Sequence, residues 1–395
     1  MYHLLIKSKP QKGTYSYIYI AAVLLAFHYY FITYINSTFL QGIVGRENVG
    51  FLYAISSIIN IVIFLKVAEI IRKYSTYKFL IFLSLLEIIC LLILGLLDTP
   101  SIIIGAFILH HSFNPVILAC LDVYLEDRSD VKNIGKIRGL FLTIISLAAV
   151  ISPLAIGSLV TDGNFSYAYL FSGFFMLLFV SFIVLNFKNI PSGQFKRIKI
   201  FSELKEFFRN KSIRKVGICA VILQFFYSWM IIYVPLYLRE VMNFSWKEIA
   251  LLISVSLVPF ILFEIPIGRL VDDKSNEGKV IGYGFFLAAI SILIFPLLQE
   301  NSFFLWAIML FLARAGASII EPSSESYFFK HSKGKDELIG IYRIAGPFAF
   351  IIGPMFGSLL LFFYDFKYLF PILSCILLVG VIISLRLKNN INHSV

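Results

Sequence analysis

Apolar residues run through this chain in long stretches, broken at nearly regular intervals by short polar clusters. Twelve stretches reach the roughly 20 residues that a membrane-crossing helix needs. They are 15–40, 49–71, 79–97, 101–123, 139–161, 167–187, 214–239, 247–270, 280–298, 303–328, 338–363 and 367–387. None alternates apolar and polar residues as a barrel strand must, and unpaired backbone groups in lipid are costly, so the pattern predicts helices. The breaks at Asp98–Ser101, Asp162–Ser166, Gln299–Ser302 and Asp365–Lys367 leave no room for a domain. The longest break, 188–213, separates six stretches from six. It divides the chain into an N-terminal bundle over 1–187, a basic linker over 188–213 and a C-terminal bundle over 214–395. Within the linker, Phe201–Phe208 (FSELKEFF) reads either as an amphipathic helix opened by an N-cap at Ser202 and lying on the membrane, or as solvated chain. Lys7, Lys9 and Lys12 precede the first stretch. It lacks a small-residue cleavage site after a short apolar core, so a retained helix is expected rather than a signal peptide. Trp246 and Trp306 are expected at the outer membrane interface.

Composition makes the polar exceptions conspicuous. Of 395 residues, 59% are hydrophobic and 14% charged, too few charges for an ordinary soluble protein. A charge near the bilayer centre costs at least ~2.5–3.5 kcal/mol, yet ionisable residues recur in register. Lys66 and Arg269, Glu69 and Asp272, His111 and Arg314, Asp122 and Glu325, and Tyr124 and Tyr327 each stand 203 positions apart. The repeat predicts an all-α integral membrane protein of two pseudo-symmetric six-helix bundles, the layout of a secondary transporter. Lys66 and Glu69, like Arg269 and Asp272, are spaced i,i+3 and share a helix face. Arg138 and Arg343 follow in matching settings, Ile134-Gly135-Lys136-Ile137-Arg138 and Ile339-Gly340-Ile341-Tyr342-Arg343, after a drift of two positions. Two equivalent networks are expected: Lys66, Glu69, Asp122 and Arg138 in one half, and Arg269, Asp272, Glu325 and Arg343 in the other. The plainer alternative is topogenic basic charge with incidental acids.

The net charge of +11 invites a nucleic-acid reading, which the distribution of basic residues removes. With the N-terminus inside, 28 of the 34 Lys and Arg fall in inner segments and only Arg46, Arg239, Lys247 and Lys367 in outer loops. That bias places both termini in the cytoplasm and the chain in the cell (inner) membrane. Cys90, Cys120, Cys219 and Cys375 all lie in apolar stretches, without metal-ligand or disulfide spacing, and are expected in core packing. No phosphate-binding loop, metal cluster or nucleophile elbow is present. The expectation is a non-enzyme that requires no cofactor or metal and is not driven by ATP.

Six helices, a basic loop and six more helices resemble the major facilitator superfamily over the whole chain. The sharpest local likeness is Gly268-Arg269-Leu270-Val271-Asp272-Asp273-Lys274, followed by Gly278-Lys279, between the eighth and ninth stretches. It is similar to that family's loop signature of glycine, a basic residue, aspartate and further basic residues. Asp273 stands where arginine is usual, and the first-half copy, Lys66-Val67-Ala68-Glu69, lacks the glycines. The resemblance is therefore to a divergent member. Gly346-Pro347 and Gly353-Pro354-Met355-Phe356-Gly357 lie in the eleventh stretch, with a sparser Ser152-Pro153 and Gly157 in the fifth. Glycine there would permit close helix approach, and proline a kink.

The resemblance implies a cavity lined mainly by helices 1, 4, 7 and 10, and polar residues in mid-membrane there become candidates. On the tenth stretch Arg314, Ser318, Glu321 and Glu325 share a face; on the fourth, His111, Asn114 and Asp122 do, with His110 turned elsewhere. Helix 1 offers His28, Tyr29 and Asn36, and helix 7 offers Gln224, Tyr227 and Tyr233. Arg314 is the leading residue, as either the holder of an anionic substrate or an internal partner of Glu321. Glu321, Glu264, His111 and His28 are candidate proton carriers. Glu87 is read as bonding a neighbouring helix. The expected function is proton-coupled transport of a small organic solute by alternating access, by a monomer. Efflux of amphipathic compounds is placed ahead of uptake of an anionic metabolite, and a membrane-embedded lipid-modifying enzyme is the rival of another class.

Overall fold

In the computed structural model, the residues described are 14–128, 134–160, 163–190, 200–273, 276–298, 302–332, 338, 341–342 and 344–387, and they are almost entirely helical. Among them, twelve helices are long and apolar enough to cross a membrane. The chain divides into two compact units, residues 1–197 and 198–395.

The N-terminal unit contains α1 (Thr14–Thr33), α2 (Asn36–Val44), α3 (Arg46–Tyr74), α4 (Thr76–Leu96), α5 (Pro100–Arg128), α6 (Ile134–Leu159) and α7 (Ser166–Asn186). The first apolar stretch is thus not one helix. Its hydropathy continues past Thr33, but the Thr33 hydroxyl bonds the Tyr29 carbonyl at 2.6 Å, a back-bond that disturbs a helix end. Asn36 then opens α2 and accepts a hydrogen bond from the Tyr169 hydroxyl at 2.8 Å. Gly45, with φ +78°, turns the chain into α3 through a left-handed conformation that glycine takes without penalty. Helix α5 is locked to α3 by two bonds: Asn60 Nδ2 donates to the Ser112 carbonyl at 2.7 Å and the Ser112 hydroxyl to the Ser56 carbonyl at 2.8 Å.

The C-terminal unit contains α8 (Ile200–Arg209), α9 (Lys211–Glu240), α10 (Trp246–Asp273), α11 (Glu277–Ile294), α12 (Phe303–His331), α13 (Ala345–Phe363) and α14 (Leu369–Leu385). The stretch read as a linker therefore holds a helix. Because α8 begins at Ile200, Ser202 lies inside its first turn and is not the N-cap. Phe207 of α8 is buried. The next N-cap is Asn210, whose Oδ1 accepts from the amides of Ser212 and Ile213 at 3.0 and 3.2 Å. The eleventh spanning helix begins at Ala345, later than its apolar stretch suggests.

The two units share one internal plan. In the first, α1 packs on α5, α6 and α7, α4 on α5 and α7, and α3 on α5. In the second, α9 packs on α12, α13 and α14, α11 on α12 and α14, and α10 on α12. Each pairing has its counterpart at the same position in chain order. Helices α5 and α12 are both 29 residues long, and their starts (100, 303) and ends (128, 331) differ by the same 203 positions.

Two expectations drawn from apolar context alone are corrected. Trp306 is fully buried against Phe295 and Tyr237, and Trp246 is buried near Arg239, so neither presents its ring to the membrane interface. Cys90, Cys120 and Cys219 are buried as expected, but Cys375 is exposed on the outer surface of α14. Hydropathy cannot separate a protein-facing from a lipid-facing position in a helix that is apolar all round.

Candidate functional site

In the C-terminal unit, three helices bring the sequence-derived candidates together. Arg314 on α12 is 4% exposed, and its guanidinium lies 5.8 Å from the Phe226 ring and 5.6 Å from the Tyr227 ring of α9. These are cation–π distances. No described carboxylate lies within ion-pair distance of it, and its Nε has no hydrogen-bond partner. Glu321, two turns further along α12, accepts a hydrogen bond from the Tyr227 hydroxyl at 2.7 Å. Tyr227 therefore contributes its ring to Arg314 and its hydroxyl to Glu321. The direct Arg314–Glu321 pair, one of the two alternatives open from sequence, is absent. Glu264 on α10 is half-buried and within electrostatic reach of Glu321 and Glu325. Gln224, one turn before Ser228, lies near Gly346 of α13. Tyr233 is not open to a solute, since its hydroxyl donates to the Pro354 carbonyl at 2.5 Å.

In the N-terminal unit, the candidates assemble differently from the sequence expectation. His28 of α1 is fully buried, with Nδ1 2.8 Å from Ser172 Oγ and Nε2 2.9 Å from Asn114 Oδ1. Asn114 Nδ2 donates to the His110 carbonyl at 2.9 Å and to Glu87 Oε1 at 3.2 Å. His110 Nδ1 makes a short hydrogen bond to Glu87 Oε1, which is also 3.3 Å from His28 Nε2. Thus His110, not His111, shares the Asn114 face. On a helix an i,i+4 pair is offset by about 40° and an i,i+3 pair by about 60°, so the nearer neighbour won. His111 packs its ring against Tyr53 and Phe107.

Sequence reasoning passed over Glu87 because it lies outside helices 1, 4, 7 and 10, and His110 because the face of Asn114 was given to its neighbour His111. The available signal was an acid alone in an apolar stretch, with no basic residue on its own span to balance it.

Of the expected inner-side networks, Lys66, Glu69 and Glu325 are exposed and Asp122 is half-buried. The side chains of Arg138, Arg269 and Asp272, and residue Arg343, lie outside the described residues. A different charge contact is present on that side. Lys330 at the end of α12 bonds Glu277 Oε1 at 2.8 Å and the Val271 carbonyl at 2.9 Å, joining α12 to the start of α11 and the end of α10. Glu277 is 2% exposed.

A family model described as the Major Facilitator Superfamily matches residues 18–331 and 247–393. No curated protein matches the sequence. Among solved structures, the chain is similar to the POT family transporter PepTSo, with a TM-score of 0.75 and 12% identity over 95% of this chain and 97% of that one. It is also similar to a POT family transporter in complex with 5-aminolevulinic acid, with a TM-score of 0.77 and 13% identity over 95% and 97%. A third likeness is to the peptide transporter POT in complex with sulfate, with a TM-score of 0.75 and 14% identity over 96% of each chain. At these identities the likeness bears on the fold.

Proposed function

The chain belongs to the major facilitator superfamily and is a multi-pass membrane transporter, and on that premise we propose that it couples protons to the movement of a small organic solute carrying an anionic group. The observation that supports this reading is the buried Arg314 guanidinium, ring-flanked and without a carboxylate partner among the described residues. A guanidinium recognises carboxylate or phosphate through a two-pronged fork. Glu321 stands within its electrostatic reach and is the proposed proton carrier, so that solute and proton act on one cluster with Tyr227 joining them. Two solved relatives in fold were captured with 5-aminolevulinic acid and with sulfate, and both ligands carry anionic oxygens.

A second reading, efflux of amphipathic compounds, is favoured by one observation. Phe225, Trp229 and Phe356 form a contiguous ring cluster between α9 and α13, with Phe225 and Trp229 5.2 Å apart and Trp229 and Phe356 6.2 Å apart. Under either reading the protein acts as a monomer in the cell membrane with both termini cytoplasmic. The networks of Lys66, Glu69, Asp122 and Arg138, and of Arg269, Asp272, Glu325 and Arg343, brace its inner side between conformations. Lys66, Glu69 and Glu325 are exposed in this structure, and exposed pairs add little net stability, which suits them to biasing two states.

The test is counterflow in proteoliposomes with a panel of succinate, glutamate, glycerol phosphate and the amphipathic cation ethidium. An anionic solute is expected to exchange. Arg314→Ala is expected to weaken its half-saturation by about 10- to 100-fold, the worth of one or two charge-assisted bonds. Wild-type affinity in Arg314→Ala removes the anion reading, and exchange of ethidium alone establishes the second.

A further inference from the structure

The cluster around Glu87 is not needed by the Arg314 site and lies wholly inside the N-terminal unit, where it gathers residues from α1, α4, α5 and α7. His28, Glu87 and Ser172 are 0% exposed, His110 2% and Asn114 5%. Their hydrogen bonds limit where the protons sit. Asn114 Nδ2 faces two acceptors, the His110 carbonyl and Glu87 Oε1, so its Oδ1 is the atom turned to His28. An amide oxygen only accepts, so His28 Nε2 must carry a hydrogen. The Ser172 hydroxyl, with one hydrogen to give, lies 2.8 Å from the His28 carbonyl oxygen. The same oxygen is 2.8 Å from Nδ1; when the hydroxyl hydrogen points to the carbonyl, Nδ1 must donate to it, and when it points to Nδ1, that nitrogen accepts. The first arrangement is an imidazolium with Glu87 Oε1, 3.3 Å from Nε2, as counter-ion; the second is a neutral ring, so one turn of the Ser172 hydroxyl accommodates gain or loss of a proton. His110 Nδ1 hydrogen-bonds the same carboxylate oxygen and lies 3.2 Å from Asn114 Nδ2. Glu87 Oε2 is buried without a hydrogen-bond partner.

We infer that His28, Glu87 and His110 form a buried proton-binding site in the N-terminal unit, holding one exchangeable proton whose loss is tied to rearrangement of α1, α4, α5 and α7. The inference rests on the proton coupling proposed above, but assigns a second station for the proton, remote in sequence from Glu321. Loss of one proton from His28 leaves Glu87 as an uncompensated buried charge, a state that costs several kcal/mol unless the surroundings change. It also removes one of the two N–H donors, so either the Asn114 amide or the Ser172 hydroxyl must turn. Deprotonation therefore requires helix rearrangement or opening to water, which is the property of a coupling site.

The groups facing His28 are Glu87 from α4 and His110 from α5, whose ring is edge-on at 6.2 Å. His111 lies one residue along, against Tyr53 and Phe107. The spanning parts of α6 and α7 contribute no charged side chain. Among the described residues, the net charge of the site is thus set by the three named groups.

Two measurements on the full-length protein test this. ¹⁵N NMR of histidine-labelled wild-type protein, with His28 assigned by its loss in His28→Gln, is expected to show both ring nitrogens of His28 protonated at neutral pH. It needs no solute. In proteoliposomes, Glu87→Gln, which preserves shape and removes the counter-charge, is expected to reduce pH-gradient-driven accumulation of the exchanged anion by at least ~10-fold, within the range of coupling between two binding sites. A singly protonated His28, or gradient-driven accumulation by Glu87→Gln equal to wild type, overturns the site. Absence of gradient-driven accumulation by the wild-type protein would instead overturn proton coupling as a whole, and the NMR result would still decide the proton site.

Discussion

Tyr227 is the residue on which the C-terminal cluster turns, because it touches both Arg314 and Glu321. Tyr227→Phe keeps the ring beside Arg314 and removes the donor to Glu321, a hydrogen bond to a charged group worth about 1.5–3 kcal/mol. Its expected effect is on the proton dependence of transport, with half-saturation for the solute preserved. A pH profile of counterflow checks this, and an unchanged profile with weakened solute binding would place Tyr227 on the solute instead. Arg314, Glu321 and Glu264 were legible in the sequence as charges in apolar stretches, since lipid tolerates few of them. Tyr227 was visible only as one polar group among the many aromatics of its helix, and its double contact depends on where the ring of α9 falls beside α12. Glu87 and His110 were harder to find. Glu87 looked solitary on its helix and His110 looked turned away from the Asn114 face, until the packing of α4 on α5 set them against each other.

At the scale of the helix, the Gly353-Pro354-Met355-Phe356-Gly357 segment explains how α9 and α13 come so close. A Cβ on Gly357 would sit 2.3 Å from the Tyr233 ring, and the Tyr233 hydroxyl reaches the Pro354 carbonyl because the ring lies flush against that glycine. Trp229 Nε1 donates to the Gly353 carbonyl at 2.7 Å one turn away. Gly357→Ala is therefore expected to lower stability by about 1–3 kcal/mol, the usual cost of overpacking, read as a lower melting temperature in detergent. Gly105→Ala on α5, where nothing lies within 4 Å, is the control expected to melt like wild type. The sequence reading took these glycines as sites of close approach and the prolines as sites of bending. The first is what the Tyr233 contact displays. The break after Thr33, in contrast, could not be read from hydropathy, because the residues on either side of it are equally apolar.

At the scale of the molecule, six interhelical pairings repeat in the two units, and α5 and α12 keep one length and one offset. That agreement gives the polar register of 203 positions a physical basis in the fourth and tenth spanning helices. The expected orientation is testable in whole cells. Lys247→Cys is expected to react with a membrane-impermeant maleimide from outside, and Lys188→Cys only after permeabilisation; both positions are exposed. Reversed labelling would invert the topology. Native Cys375 faces outward within a spanning helix, where a charged reagent does not enter, so the background is expected to be low.

Hydropathy and charge along the chain were sufficient for the number of spans, the two-fold plan and the membrane setting. Each of these follows from the cost of burying polar groups in lipid, which acts on every segment by itself. The partnerships among the buried polar residues needed the folded bundle. Whether His110 or His111 meets Glu87, whether Arg314 finds a carboxylate, and whether Trp306 faces lipid or core depend on rotation about each helix axis and on depth. Packing between helices sets both, and no single helix carries that information in its own sequence.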